Sequence, residues 1–274
     1  MAGEDRDLSL ALSQAKKGDR VALGNLVRAI GGLVYRLSLR MLWHPEDAED
    51  ASQEILIKVV TKLGSFRGKS DFTTWVYRIA LNHLKSLRAA TQRERRNFPA
   101  FAQGLVEGLG NDPSASYEGV EAPLLAEEMR IGCLNGMLQC LDESARIAYI
   151  LGDILGLVGR EASAVQSISE EVHRKRLSRA RRKLFDFMEA HCGIANPSRP
   201  CRCERQIEHC IATERIEPRH LLFALDGQGR ALLGRIDSAE QTLRLYRSDP
   251  HYDLPARAIS GLERIFFEGG MRAG

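Results

Sequence analysis

Four cysteines crowd one short stretch of the chain, Cys192, Cys201, Cys203 and Cys210, with His191 and His209 beside two of them. Thiolate and imidazole are ligand types suited to Zn²⁺, and a Cys-x-Cys pair also suits softer metals or oxidation. The Cys-x8-Cys-x-Cys-x6-Cys spacing is not that of a standard zinc finger. A metal site, a redox pair and a set of buried idle thiols are therefore all open readings. Cys133 and Cys140 lie apart from this group on a helical stretch and read as core. A second chemistry-bearing run is ISEEVHRKRLSRARRKLFDFM (168–188), in which His173, Arg174, Lys175, Arg176 and Arg179 line up with further basic residues. Such a helix neutralises phosphates and presents guanidinium forks to guanine edges in a major groove. REASAVQS (160–167) just upstream supplies the short first helix and turn of a helix-turn-helix. A third run is acidic, with Glu46, Asp47, Glu49, Asp50 and Glu54 following Pro45. Acids in a first helical turn favour the positive end of the helix dipole, and they also suit a basic partner.

The elements that must carry these groups are mostly helical. In 23–41 the residues Leu23, Leu26, Val27, Ile30, Val34, Leu37 and Met41 keep a three-or-four spacing that makes one buried stripe. Pro45 opens the acidic helix, which runs to about Leu63. GSFRGKSDF (64–72) is a loop, and a third helix runs from Thr73 to about Ala90 with Val76, Ile79, Ala80 and Leu84 inward. Residues 97–123 hold three prolines and read as a linker. Residues 127–190 are helical again. In the basic helix Val172, Leu177, Ala180, Leu184 and Phe187 or Met188 form the expected inward face. The tail changes character: HLLFALDGQGRALLGRI (220–236) reads as a hairpin closed by Asp-Gly. Two short helices follow it, one opened by a Ser238–Gln241 capping box and one by Pro255.

The 274-residue length exceeds one small domain, and a 44% hydrophobic content is enough for real cores. The net charge of +3 is modest, but opposite charges are segregated along the chain, which points to separate partners for separate surfaces. MAGEDRDLSL has no apolar core and does not read as a signal peptide. The most apolar stretch, 147–159, is too short to span a membrane and contains Asp153. A cytoplasmic protein is expected, with its cysteines reduced unless they hold a metal or sense oxidants.

Two helical blocks together resemble a bacterial RNA polymerase sigma factor of the extracytoplasmic-function (ECF) group. DAEDASQEILIKVVTKLGSFRGKSDFTTWVYRIALNHLKSLR (47–88) is similar to the family's region 2 throughout, and 141–184 is similar to its region 4. The resemblance implies a mainly α fold: region 2 over 1–92, a linker over 93–126, a region 4 helix-turn-helix over 127–190 and a small α+β Cys-containing extension over 191–274. It also implies partners, namely the β′ clamp helices and β flap of core polymerase, promoter DNA and an anti-sigma factor. Docking on the clamp falls to Asp47, Glu49, Asp50, Gln53 and Glu54. Melting and reading of the −10 element falls to Phe66, Arg67, Trp75, Arg78, Asn82, Lys85 and Arg88, types that stack, pocket and neutralise unpaired bases. Trp75 also reads as core. Reading of the −35 element falls to His173, Arg174, Lys175, Arg176 and Arg179. Ser167 occupies a turn position where the family usually has Gly, and Glu170 and Glu171 at the tip of the recognition helix repel phosphate.

Three function classes compete. A sigma factor needs both the acidic helix and the 64–88 element. A metal- or redox-responsive regulator that binds DNA alone needs only 160–188. An enzyme is disfavoured, because the chain has no nucleophile elbow, P-loop, Rossmann fingerprint or paired carboxylates at catalytic spacing. No cofactor is required; the ligand types of the extension suit Zn²⁺, with softer metals or oxidation of the Cys-x-Cys pair also open.

Overall fold

The computed structural model describes residues 2–90, 96–110, 116–224, 246 and 253–267. Its contacts divide the chain into two units, one of residues 1–93, 160–169 and 251–274, the other of 94–159 and 170–250. The architecture is mainly α. Among the described residues the only strands are a two-residue antiparallel pair, β1 (Ser116–Tyr117) and β2 (Val120–Glu121). The expected tail hairpin lies mostly outside the described residues, as does the Ser238–Gln241 capping box.

The first unit is built on α1 (Ala2–Ala15), α2 (Arg20–Leu42), α3 (Pro45–Thr61) and α4 (Phe72–Ala90). Asp19 caps α2 by accepting the Ala22 N–H at 3.0 Å, and Pro45 begins α3 where its missing N–H costs nothing. The stripes expected for α2 and α4 meet α3: Ile30, Val34, Leu37 and Met41 of α2, Val76, Ala80 and Leu84 of α4, and with them Ile55, Leu56 and Val59 of α3, are all fully buried. α8 (Gly159–Gln166) ends in Ser167 at φ 56°, the left-handed turn for which a Gly-free sequence incurs strain. The last helix, α11 (Ala256–Phe267), packs on α2 and α3, following Pro255 as expected. Leu254, Ala258, Leu262 and Phe266, each four residues apart, are its buried stripe. Burying each large member stabilises by about 1.5–3 kcal/mol.

The second unit holds α5 (Phe98–Glu107), α6 (Ala122–Cys140), α7 (Glu143–Tyr149), a π-wound turn at Ile150–Ile154, α9 (Glu170–His191) and α10 (Cys203–Ala212). α5 replaces part of the expected linker. Pro99 sits in its first turn, where proline starts helices rather than breaking them, and Asn97 caps it through the Ala100 N–H at 2.9 Å. Phe98 and Phe101 set their rings 5.0 and 5.7 Å from Phe187 of α9. The cysteine segment is tied to α6: Ile207 and Cys210 of α10 share a core with Leu125 and Met129. The buried carboxylate of Glu128 accepts N–H bonds from Leu222, Phe223 and Ala224 at 2.7–3.0 Å. Tyr246 adds its hydroxyl to the Leu134 carbonyl at 3.0 Å.

Candidate functional site

α3 presents one open acidic stripe. Glu46, Asp50 and Glu54, at intervals of four, are exposed, while Asp47 and Gln53 are half-buried beside them. Glu49 departs from expectation. It is 8% exposed, because Arg257 of α11 lies over it and donates from Nε at 2.9 and 3.1 Å and from Nη2 at 2.6 Å. Sequence reasoning missed Arg257; the apolar four-residue repeat of α11 was the available signal. Glu54 also lies 3.4 Å from Nε2 of His83, whose Nδ1 is 2.6 Å from Lys58. Burial, and then Lys58, hold His83 below its ordinary pKa.

The loop after α3 and the face of α4 sort into two groups. Phe66 is buried rather than open to a base, with its ring 5.3 Å from Phe72 and 5.4 Å from Trp75. Trp75 is half-buried, stacked on Phe72 at 5.7 Å. This trio fixes the loop to α4, so apolar packing wins over stacking for Phe66. Arg67 is exposed in the loop. Arg78, Asn82 and Lys85 lie on one stripe of α4, and Asn82 and Lys85 are exposed. Arg78 is half-buried and donates from Nη2 to the Ala164 carbonyl at 2.9 Å, while Arg88 donates to the Met41 carbonyl at 3.0 Å and so braces α4 against α2.

In the second unit the inward face of α9 is rotated by one residue at its start. Val172 is exposed, whereas His173 is only 3% exposed and faces Gly152, so His173 is not placed to read DNA. The reason is helical phase: His173, Leu177, Ala180, Leu184, Phe187 and Met188 keep one stripe. Burial lowers the pKa of His173 against the opposing pull of Asp153. Arg174, Lys175 and Arg179 are exposed, Arg176 is half-buried, and Lys175 pairs with Glu171 at 2.7 Å. Arg181 is structural: its guanidinium grips the buried carboxylate of Asp153 at 2.8 and 2.6 Å. A cavity of about 270 Å³ lies beside this pair, lined by His173 and Leu177 among others.

The cysteines group differently from the expected quartet. Cys133 of α6 is half-buried and packs with Cys203 against the core that holds Cys210, while the Cys210 thiol turns to Met129 Sδ at 3.3 Å. The backbones of Cys192 and Cys201 pair as a parallel bridge, closed by the Gly193 N–H on the Cys201 carbonyl at 3.0 Å. Burial pushes the Cys201 thiol up to about 11 and raises those of Cys133 and Cys203 as well, which keeps them protonated at neutral pH. Among the described residues no group of three or more His, Cys, Asp or Glu is arranged to hold a metal ion. The donor types suit Zn²⁺, but among the described residues their arrangement forms no ligand set for it.

The family described as sigma-70 region 2 matches residues 26–94, the α2–α4 bundle with its acidic stripe and its basic α4 face. The RNA polymerase sigma factor CnrH of Cupriavidus metallidurans is 31% identical over 69% of this chain and 98% of its own length. The ECF RNA polymerase sigma-E factor of Escherichia coli is 31% identical over 62% of this chain and 88% of its own. The chain belongs to the ECF group of bacterial RNA polymerase sigma factors. The sigma-H factor of Pseudomonas aeruginosa is 29% identical over 66% of this sigma factor and 93% of its own length. Among solved structures, that of CnrH in complex with the cytosolic domain of CnrY aligns at a TM-score of 0.49 and 26% identity, covering 66% of this chain and 96% of that one. Among the described residues of this sigma factor no helix is long and apolar enough to cross a membrane.

Proposed function

We propose that this ECF sigma factor docks on core RNA polymerase through α3, reads the −35 element through α9 and opens the −10 element with the loop after α3 and α4. The observation that carries the docking step is the exposed Glu46–Asp50–Glu54 stripe inside the region 2 match. Asn82 and Lys85, exposed and without an apolar role, are assigned to base and strand contact, with Arg67 on the backbone. Arg174, Lys175, Arg176 and Arg179 are assigned to the −35 duplex. An anti-sigma partner is the regulator that family membership supports.

Run-off transcription with bacterial core polymerase on promoter fragments tests this function. Discrete new transcripts are expected with the wild-type chain and none with Asp50→Lys/Glu54→Lys. DNA binding without any polymerase-dependent transcript would instead favour a stand-alone regulator.

A further inference from the structure

We propose that α11 is an intramolecular cap on the polymerase-docking face of α3, with Arg257 holding the position that a basic side chain of the polymerase takes, so that docking requires α11 to leave. This rests on α3 being the docking helix. The fork from Arg257 occupies both oxygens of Glu49. One turn further on, Gly261 brings α11 so close that a Cβ there would lie 3.9 Å from Oε1 of Gln53. Two of the five docking residues therefore face α11, and a carboxylate already holding a bidentate guanidinium has no such geometry left for another.

The contact is anchored at both edges. Glu263 pairs with Arg28 of α2, and Asp253 lies 3.8 Å from Arg36. Beneath the charges Leu254 rests on Gly31, 3.5 Å from where a Cβ would stand, and Leu262 is fully buried. Asp50 and Glu54 stay exposed beside the cap. They are free to begin an encounter with a basic surface, while the full docking footprint is open only in the fraction of molecules with α11 displaced. The apparent Kd for polymerase is then raised by the reciprocal of that fraction.

The test measures binding of the labelled full-length chain to core polymerase by fluorescence anisotropy. Arg257→Ala removes the fork, and Glu263→Lys sets a like charge against Arg28; neither is a docking residue. Each is expected to lower Kd by about fivefold to tenfold as the competent fraction rises, with Arg264→Ala, an exposed α11 position, unchanged. Hydrogen exchange supplies a second readout: protection of the α11 amides should fall when polymerase binds. Unchanged or weaker binding by both loosened variants, or α11 protection retained in the complex, overturns the cap. Asp50→Lys separates the two ideas, because loss of binding by this variant upholds the docking helix while retention removes the reading on which the cap stands.

Discussion

Arg181 sits in the most basic helix of the chain, yet its guanidinium holds the buried Asp153 carboxylate at 2.8 and 2.6 Å. Arg181→Ala takes the guanidinium fork away from that carboxylate, whose side chain is 3% exposed. Breaking a buried pair by removing one partner costs about 3–5 kcal/mol. The Arg181 side chain is 46% exposed, so water can replace part of the fork and the cost drops just below that range, to about 2–3 kcal/mol. For a unit of this size, thermal unfolding should fall by roughly 4–10 °C. DNA affinity per folded molecule should change little, and the slope of log K against log salt should not move. Arg174→Ala or Arg179→Ala should do the reverse, lowering that slope by about 0.9 for each phosphate no longer neutralised while leaving the midpoint within about 1 °C. Calorimetry and salt-dependent DNA titration on the three variants check this together. Adding Asp153→Asn to Arg181→Ala should return at least about 1 kcal/mol, because the buried charge that lost its guanidinium fork is gone. A lowered salt slope with an unchanged midpoint for Arg181→Ala would refute the structural assignment and make Arg181 a DNA-binding residue.

Glu128→Gln turns an amide donor toward backbone donors of residues 222–224, losing at least one accepted bond at a cost of about 1–3 kcal/mol; limited proteolysis should then cut near those residues faster. Gly193→Ala would place a Cβ 2.3 Å from the Cys201 carbonyl oxygen, a backbone atom that no rotamer relieves, so the Cys192–Cys201 bridge should open and all described cysteines nearby should react sooner with a thiol reagent. His173 has a lowered folded pKa, so the unfolded chain binds more protons. The stability tied to its neutral form is present above about pH 6.5 and is lost as pH falls from there toward the folded value. Replacing it by Asn should flatten the dependence of the unfolding midpoint on pH below about 6.5, leaving the part due to His83, which is shifted in the same direction.

Much of this chain was legible as a sequence because its information is local. The periodicity of α2, Pro45 at the start of α3 and the loop before α4 are set by neighbours a few residues apart, and these elements form as expected. The turn at Ser167 was marked by the family resemblance, and its left-handed backbone at φ 56° is what the structure adds. Helical phase limited the reading of α9: a slip of one residue exchanges Val172 for His173 on the buried face, and only the packing of His173 against Gly152 decides between them. Phe66 had the type of a base-stacking residue, but Phe72 and Trp75 come to it through the fold and claim its ring. Long-range pairings were invisible altogether. Nothing in 45–61 announces that Glu49 will meet Arg257 across 208 positions, or that Cys133 will join cysteines that follow α9. Sequence alone determined which residue types were available and which helices would carry them. Tertiary structure decided which of those side chains remain open to a partner, because burial and pairing depend on surfaces brought together from distant parts of the chain.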